Sequence, residues 1–247
     1  MRALLTVLLL LATLVSQGLE AQSRRRAVAR KSFVPIIVSD DFRNGALGWT
    51  AAFADFAPVT APTMELDSGI RPLPAELSIA GTGFWITGHN RSDDLFMFLS
   101  KKLSASDGIL PNRQYQIRFR ITAASSAGSN CVGVGGAPGE SVYLKAGATD
   151  SAPVVALDED LYQVNFDKGQ QSQGGAAASV AGHIGNGSSN CSDNAPFISL
   201  GWEHSHPEIV TSNELGELWL VVGTDSAFEG KTTLYYQGIE ATLTPVR

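Results

Sequence analysis

Three polar stretches rich in glycine are the places where this chain could carry out binding chemistry: GVGGAPGESVY (133–143), NFDKGQQSQGG (165–175) and GTDSAFEGKTTLYY (223–236). Each adjoins a segment with the pattern of a β-strand. Glycine lets a loop turn sharply and approach a partner closely, and the loops of all-β proteins usually carry their functional side chains. The sequence therefore predicts that these loops hold the functional residues.

We expect polar side chains from these loops and from residues 89–94 to converge at one end or face of the fold. Fixed amides and carboxylates, often beside an aromatic face, are what polyol recognition requires. The predicted ligand-binding residues are His89, Asp93, Asp94, Glu140, Asp167, Gln170, Asp225 and Glu229. In the competing interpretation, glycine and glutamine build ordered loops whose polar groups satisfy one another.

Metal binding is a second hypothesis for the same segments. Asp93 and Asp94 are candidate ligands for Ca²⁺, which binds about six to eight oxygens, while turn hydrogen bonds are their competing role. His204 and His206 would point to one face of an extended segment, a spacing that can chelate a transition metal. Exposed loop histidines are the alternative for this pair. Ca²⁺ is thus the candidate cofactor.

Catalysis has little support in the sequence, and no catalytic residue is predicted. Gly139-Glu140-Ser141 is not the GxSxG nucleophile elbow, and a hydrolytic carboxylate pair cannot be recognised among so many acids. Four tryptophans are candidate sugar-stacking platforms: Trp49, Trp85, Trp202 and Trp219. Trp49 and Trp219 lie in apolar strand patterns that favour core packing, whereas Trp202 borders a polar segment and is expected to be exposed.

The charge of the chain narrows the class of partner. The formal net charge is −6, but from Ser32 onward 12 Lys and Arg stand against 23 Asp and Glu, a net of −11. Such an acidic surface repels phosphate backbones, so nucleic-acid binding is not predicted. It suits cations, neutral sugars or basic partners.

The N-terminal segment has the features of an export signal. Residues 1–21 form a predicted signal peptide, residues 22–33 a basic disordered leader, and residues 34–247 a single domain. The apolar run is short for a membrane span, so no stable span is expected after cleavage, and the mature protein is predicted to be secreted or periplasmic. The basic residues just after the run resist export, which leaves an uncleaved inner-membrane anchor open.

The two cysteines, Cys131 and Cys191, predict a disulfide, because an even count in an exported chain favours pairing. Closing a loop of about 60 residues is worth roughly 4 kcal/mol in the chain-entropy treatment. Two free thiols are the alternative.

Strand patterns recur along the whole domain. Between Gln114 and Ile121, apolar and polar residues alternate with a period of two, which indicates a sheet with one solvated face. Further strands are predicted at 35–38, 50–56, 76–80, 83–87, 95–103, 141–146, 162–166, 197–202, 218–222 and 232–243, with surface loops at 57–75 and 182–195. No helical stripe with caps appears after the signal, so an all-β sandwich or barrel is predicted.

Two resemblances refine this interpretation. The start DDFRNGALGWT (40–50) and the end LYYQGIEATL (234–243) resemble carbohydrate-binding modules of the galactose-binding-like jelly-roll kind, which implies a jelly-roll β-sandwich. In those modules a last-strand Asp commonly joins a structural calcium site. The matching positions here are Gln237 and Gly238, so that site is not implied, although Asp40 and Asp41 remain available.

Four longer motifs are similar to those of a family of exported bacterial proteins with no assigned function. They are SDDLFM (92–97), GVGGAPGESVY, DKGQQSQGG (167–175) and GTDSAFEGKTTLYY. The sequence as a whole predicts an exported, non-catalytic binding domain for a glycan or other polar extracellular ligand, with calcium as a candidate aid. An extracellular polymer hydrolase with a carboxylate pair, or a structural envelope protein, are the alternatives.

Overall fold

The computed structural model describes residues 34–246, so the predicted signal peptide and leader lie outside the described residues. Within this range the chain forms fourteen β-strands and three short 3-10 helices. The strands are β1 Ile36–Asp40, β2 Trp49–Ala54, β3 Asp67–Pro72, β4 Thr82–His89, β5 Leu95–Leu103, β6 Gln114–Ser125, β7 Val142–Thr149, β8 Val155–Asp158, β9 Leu161–Val164, β10 Ala178–His183, β11 Ile198–Ser205, β12 Val210–Thr211, β13 Leu218–Ser226 and β14 Lys231–Pro245. The 3-10 helices are Ala61–Thr63, Ala75–Leu77 and Ala105–Asp107.

The strands form two packed antiparallel sheets and one hairpin. A seven-stranded sheet has the order β11-β6-β14-β4-β3, with β1 added to β14 and β12 added to β6. A five-stranded sheet has the order β10-β7-β13-β5-β2, and β8 pairs with β9 alone. The chain alternates between the two sheets from β4 to β7 and again from β13 to β14, as in a jelly roll. The predicted all-β jelly-roll sandwich is confirmed.

The main core lies between the two sheets and follows the predicted alternation. In β6, Tyr115, Ile117, Phe119 and Ile121 are buried while the residues between them face outward. They pack against the inner residues of the five-stranded sheet, such as Leu144 and Leu220. Burying large apolar side chains in this way supplies the main stabilisation of the sandwich.

Two local predictions were wrong. Residues 76–80 do not form a strand, because Pro74 precedes the 3-10 helix Ala75–Leu77 and Ser78 follows it in the left-handed region at φ 54°. The predicted loop at 57–75 contains β3, which pairs with β4 from Asp67 to Pro72. The turn residues of this stretch obscure the strand between them.

The outer face of the five-stranded sheet is covered rather than solvated. Phe96, Phe98 and Val221 point away from the main core and form a second apolar cluster. The β8–β9 hairpin and the loop after it cover this cluster with Val155, Val164 and Phe166. The loop at 165–175 is therefore packed over the middle of the sheet.

Two further predictions concern cross-links and membranes. Cys131 and Cys191 form a disulfide with Cα atoms 5.6 Å apart, as predicted. Among residues 34–246, none of the helices is long and apolar enough to cross a bilayer.

Candidate functional site

Five charged side chains gather beneath the 165–175 loop. Lys145 of β7 and Asp225 of β13 lie on neighbouring central strands and point to the outer face of the five-stranded sheet. Asp55 follows β2, Asp94 precedes β5, and Lys168 extends down from the loop. We call these five residues the ionic cluster.

Lys145 and Asp225 form its wholly buried centre. Both side chains are 0% exposed, and Nζ of Lys145 lies 2.7 Å from Oδ2 of Asp225. Nζ also donates to the carbonyl oxygens of Lys168 at 2.7 Å and Gln173 at 2.8 Å. Burial lowers the pKa of Lys145, because it disfavours the charged ammonium. The contacts with the two carbonyls anchor the loop to the sheet.

Lys168 links the remaining acids. Its Nζ lies 2.6 Å from Oδ2 of Asp55, 2.8 Å from Oδ2 of Asp225 and 3.9 Å from Oδ2 of Asp94. Burial alone would lower the pKa of Lys168, but the carboxylates of Asp225, Asp55 and Asp94 outweigh it and raise that pKa. Lys168 is therefore a charged ammonium among three acids.

Asp94 and Asp225 hold different protonation states. Burial, followed by the negative charge of Asp225, raises the pKa of Asp94 to about 8. Burial alone would raise the pKa of Asp225, but Lys168, a hydrogen bond from Asp94 and Lys145 together lower it. Oδ1 of each acid is buried without a hydrogen-bond partner, and a protonated Asp94 can donate to the carboxylate of Asp225. At neutral pH Asp94 is thus a hydrogen-bond donor to an ionised Asp225.

The cluster has the carboxylates that a cation site needs, but it also has its own cations. Oxygen atoms of Asp55, Asp94 and Asp225 all lie within 4.8 Å of one another, which suits a hard divalent ion. The ammonium of Lys168 lies among these oxygens, so a metal here would have to displace it. Calcium binding stays a prediction.

A cavity of about 490 Å³ opens beside the ionic cluster. It is lined by four of the predicted ligand residues, Asp93, Asp94, Asp167 and Gln170. Asp167 also shapes the loop, since its carboxylate accepts hydrogen bonds from the backbone N–H groups of Gly169 and Ala176, which lower its pKa. With Asp225 in the cluster, five of the eight predicted residues come together.

The other three predicted residues lie elsewhere, and none of them lines this cavity. His89 is on the outer face of the seven-stranded sheet, with Nδ1 3.5 Å from Glu65. Oε1 of Glu140 accepts the backbone N–H of Asn130. Glu229 donates its backbone N–H to Val134. The structure divides the single predicted site into separate places.

His204 and His206 do point to one side, and they meet a serine. Oγ of Ser179 lies 2.7 Å from Nε2 of His204 and 2.8 Å from Nδ1 of His206. Nε2 of His206 lies 3.0 Å from the carbonyl oxygen of Ala176. These contacts join the edge strands β10 and β11 of the two sheets, which indicates a structural link.

The outer face of the seven-stranded sheet carries a row of half-buried aromatic rings. Tyr235 of β14 pairs directly with Trp85 of β4, and its ring centroid is 5.1 Å from that of Phe197 in an edge-to-face contact. The guanidinium of Arg71 stacks 3.5 Å from the Trp85 ring. We call Trp85, Tyr235 and Phe197 the aromatic row.

A larger cleft of about 850 Å³ begins at the end of this row. Phe197 belongs to both, and the side chains of Thr233 and Lys231 lead from Tyr235 into the cleft along one face of β14. The loops around 126–138 and 184–197, joined by the disulfide, form the opposite wall. Polar groups also line the cleft: Glu76, His89, Ser192, Asp193 and Asn194. The arrangement combines apolar rings with donors and acceptors on a surface large enough for a small oligomer.

Comparisons with known proteins give a likeness of fold. No family model matches the chain, so the predicted family membership rests on the motifs alone. No curated protein matches it either.

Solved structures with a similar fold include carbohydrate-binding modules. A family 27 module from Caldicellulosiruptor saccharolyticus, solved with mannohexaose, has 7% identity and a TM-score of 0.39 over 83% of this chain and 95% of the module. A family 11 module from Clostridium thermocellum, solved with a mixed-linked tetrasaccharide, has 11% identity and a TM-score of 0.34 over 84% and 94%. An adhesin domain of Lys-gingipain from Porphyromonas gingivalis has 10% identity and a TM-score of 0.37 over 83% and 96%. Because fold does not imply function, this likeness concerns the sandwich architecture alone.

Sequence reasoning missed two features. Lys145 and Lys168 were not among the predicted residues, although a lysine within the apolar strand VYLKAGAT and an aspartate within the facing strand VVGTDS are a detectable signal of a buried pair. Of the aromatic row, Trp85 was among the candidate stacking tryptophans, but Tyr235 and Phe197 were missed, because the row is assembled from three separate segments. Trp202, expected to be exposed, is half-buried against the main core and donates to the carbonyl of His183.

Proposed function

We propose that this chain is an exported, non-catalytic glycan-binding domain whose ligand lies on the aromatic row and in the adjoining cleft. The observation that carries the proposal is the continuity of Trp85, Tyr235 and Phe197 with a cleft of about 850 Å³. Sugar rings present apolar faces that pack on aromatic rings and hydroxyls that need fixed partners. Both requirements are met on one surface.

The charged groups around the row suit a neutral, hydroxyl-rich ligand. Arg71 is held by Asp67 at 2.8 Å, and Lys231 by Glu65 at 2.8 Å, so positive and negative groups alternate around the aromatic rings. The guanidinium of Arg71 lies over the Trp85 ring, 3.5 Å from its centroid, so at this end of the row a ligand would meet N–H groups that can donate to hydroxyls. No single sign of charge dominates the surface, which fits a neutral sugar better than a polyanion.

The ionic cluster supports a binding domain rather than a hydrolase. Two of its three acids, Asp55 and Asp225, are paired with lysines and lie below the surface. A glycosidase needs a second carboxylate, besides the proton-donating acid, that is free to act as nucleophile or base. Export is consistent with the Cys131–Cys191 disulfide, since such bonds persist in oxidising compartments.

A glycan array probed with the mature protein, followed by calorimetry on the best ligand, tests the proposal. Tyr235→Ala should weaken binding about tenfold or more, because a central aromatic contact carries much of the binding energy. Tyr235→Phe, the matched control, keeps the ring and should bind within about threefold of wild type.

Two results would redirect or end the proposal. If Tyr235→Ala binds normally while Gln170→Ala does not, the ligand occupies the smaller cavity beside the ionic cluster. If no glycan binds, the function is not glycan recognition. Repeating the calorimetry with a chelator tests the calcium prediction, which requires the affinity to fall when Ca²⁺ is removed.

A further inference from the structure

The centre of the ionic cluster has the parts of an amide-forming site. Lys145 and Asp225 lie diagonally across β7 and β13, since Gly223 pairs with Lys145 and Asp225 with Tyr143. Their side chains emerge on the same face, with Nζ 2.7 Å from Oδ2 and both groups wholly buried. An amine and a carboxyl are thus held in contact with water excluded, which favours reaction between them.

The two oxygens of Asp225 have different surroundings. Oδ2 lies 2.8 Å from Nζ of Lys168 and accepts the backbone N–H of Gln171 at 2.8 Å. These two donors are placed as in an oxyanion hole, which stabilises the charge on a tetrahedral intermediate. Oδ1 is buried without a hydrogen-bond partner, and the carboxyl group of Asp94 neighbours that of Asp225, with carboxylate oxygens of the two within 4.8 Å of each other.

We propose that Lys145 and Asp225 join in a covalent isopeptide bond, formed by the folded protein itself. In this reaction Nζ becomes bonded to Cγ of Asp225, the bond from Cγ to Oδ1 breaks, and one water molecule leaves. No cofactor, oxidant or second substrate is needed.

The atoms and protons balance within the cluster. Asp94 first gives its proton to Oδ1, so that Asp225 becomes a neutral acid with Oδ2 as its carbonyl oxygen, and the Asp94 carboxylate takes one proton from the Lys145 ammonium. The neutral amine then attacks Cγ, and the developing charge on Oδ2 is held by Lys168 and the Gln171 N–H. Asp94 gives this second proton to Oδ1, which leaves as water, and takes one more proton from the attacking nitrogen, so that three ammonium hydrogens become one amide hydrogen and the two hydrogens of water.

Burial favours the product over the ion pair. Two charges in a water-free site carry a large desolvation cost that their attraction only partly repays, whereas a neutral amide does not. The remaining N–H can still donate to the carbonyl of Lys168 or Gln173, which Nζ contacts already. Lys168 keeps its partner Asp55 at 2.6 Å.

Peptide mass spectrometry on the exported full chain tests this inference independently of ligand binding. After the disulfide is reduced, trypsin should release residues 121–168 joined to residues 169–231, because a cross-linked Lys145 is not cleaved. The joined species should weigh one water less than the two peptides together, with fragment ions that place the link at Lys145 and Asp225.

Variants distinguish the Lys145–Asp225 cross-link from other reactions that also remove one water molecule from the chain. Lys145→Arg keeps the positive charge but cannot form the amide, so the joined species should disappear, whereas water lost from an aspartyl succinimide elsewhere would remain. Asp225→Asn should still cross-link, with loss of ammonia in place of water. If the wild-type digest contains free peptides 121–145 and 169–231 and no joined species, the pair is an ordinary ion pair and the inference is overturned.

Discussion

Ser179 contacts His204 and His206 and so links the two sheets. Because both partners are histidines, we expect the free energy of unfolding to fall in acid. Ala176 offers only a carbonyl to Nε2 of His206, so this nitrogen carries the ring hydrogen and Nδ1 accepts from Ser179. The serine oxygen in turn accepts from Nε2 of His204. Burial disfavours the charged form of both imidazole rings.

The sign of the pH dependence follows from burial. Burial lowers the pKa of His204 from 6.5, with a smaller effect of His206 in the same direction. Burial also lowers the pKa of His206 from 6.5, against the opposing effects of the Ala176 carbonyl and Glu208. Since the unfolded chain takes up these protons first, the stabilisation is complete above about pH 6.5 and is lost as the pH falls below it.

The linkage between proton binding and folding sets an upper bound on this loss of stability. Each histidine contributes a slope of at most about 1.4 kcal/mol per pH unit, so the free energy of unfolding should fall by up to roughly 2 kcal/mol per histidine between about pH 6.5 and pH 5. Urea unfolding at several pH values measures this slope. His204→Gln should flatten it, because the variant side chain does not titrate.

His183→Gln is the matched control, because His183 is exposed and lies on the same edge strand as Ser179. It should leave the slope of the wild type unchanged. If His204→Gln and wild type lose stability equally between about pH 6.5 and pH 5, burial of neutral histidines is not what sets the acid limit.

Two further predictions concern stability. Replacing Cys131 and Cys191 by serine opens a link between residues 60 apart and should lower the free energy of unfolding by up to about 4 kcal/mol in urea titrations; an unchanged midpoint would contradict the chain-entropy argument. Gly223→Ala places a Cβ 2.5 Å from Cβ of Phe98 and should cost about 1–3 kcal/mol. Gly201→Ala, where a Cβ meets nothing within 4 Å, should change stability by under about 0.5 kcal/mol in the same titration.

Much of the fold was predictable because single strands carry their own signal. The alternation in β6 and the apolar run of β5 mark these strands directly, and β5 was predicted with the bounds Leu95–Leu103 that the structure has. β3 and β10 were missed, since Gly69 and Gly182 interrupt their patterns. A strand whose pattern is broken forms only because its neighbours complete the sheet.

The sites were less predictable because they depend on which strands become neighbours. Tyr235 meets Trp85 only through the register between β14 and β4, and no local pattern sets that register. Lys145 lies in an apolar strand, but its burial depends on the distant loop at 165–175 that covers it. Long-range packing decided both outcomes.

Strand β14 runs from the cleft toward the end of the sandwich where the first described residues lie. Its first residues line the cleft, while near its other end Leu243 pairs with Ile36, two residues after Val34, the first described residue. Fifteen residues at about 3.3 Å each place the two ends roughly 45 Å apart. Val34, the first residue that the structure describes, therefore lies at the end of the sandwich opposite the cleft. A ligand bound as proposed would approach this domain from the end remote from Val34.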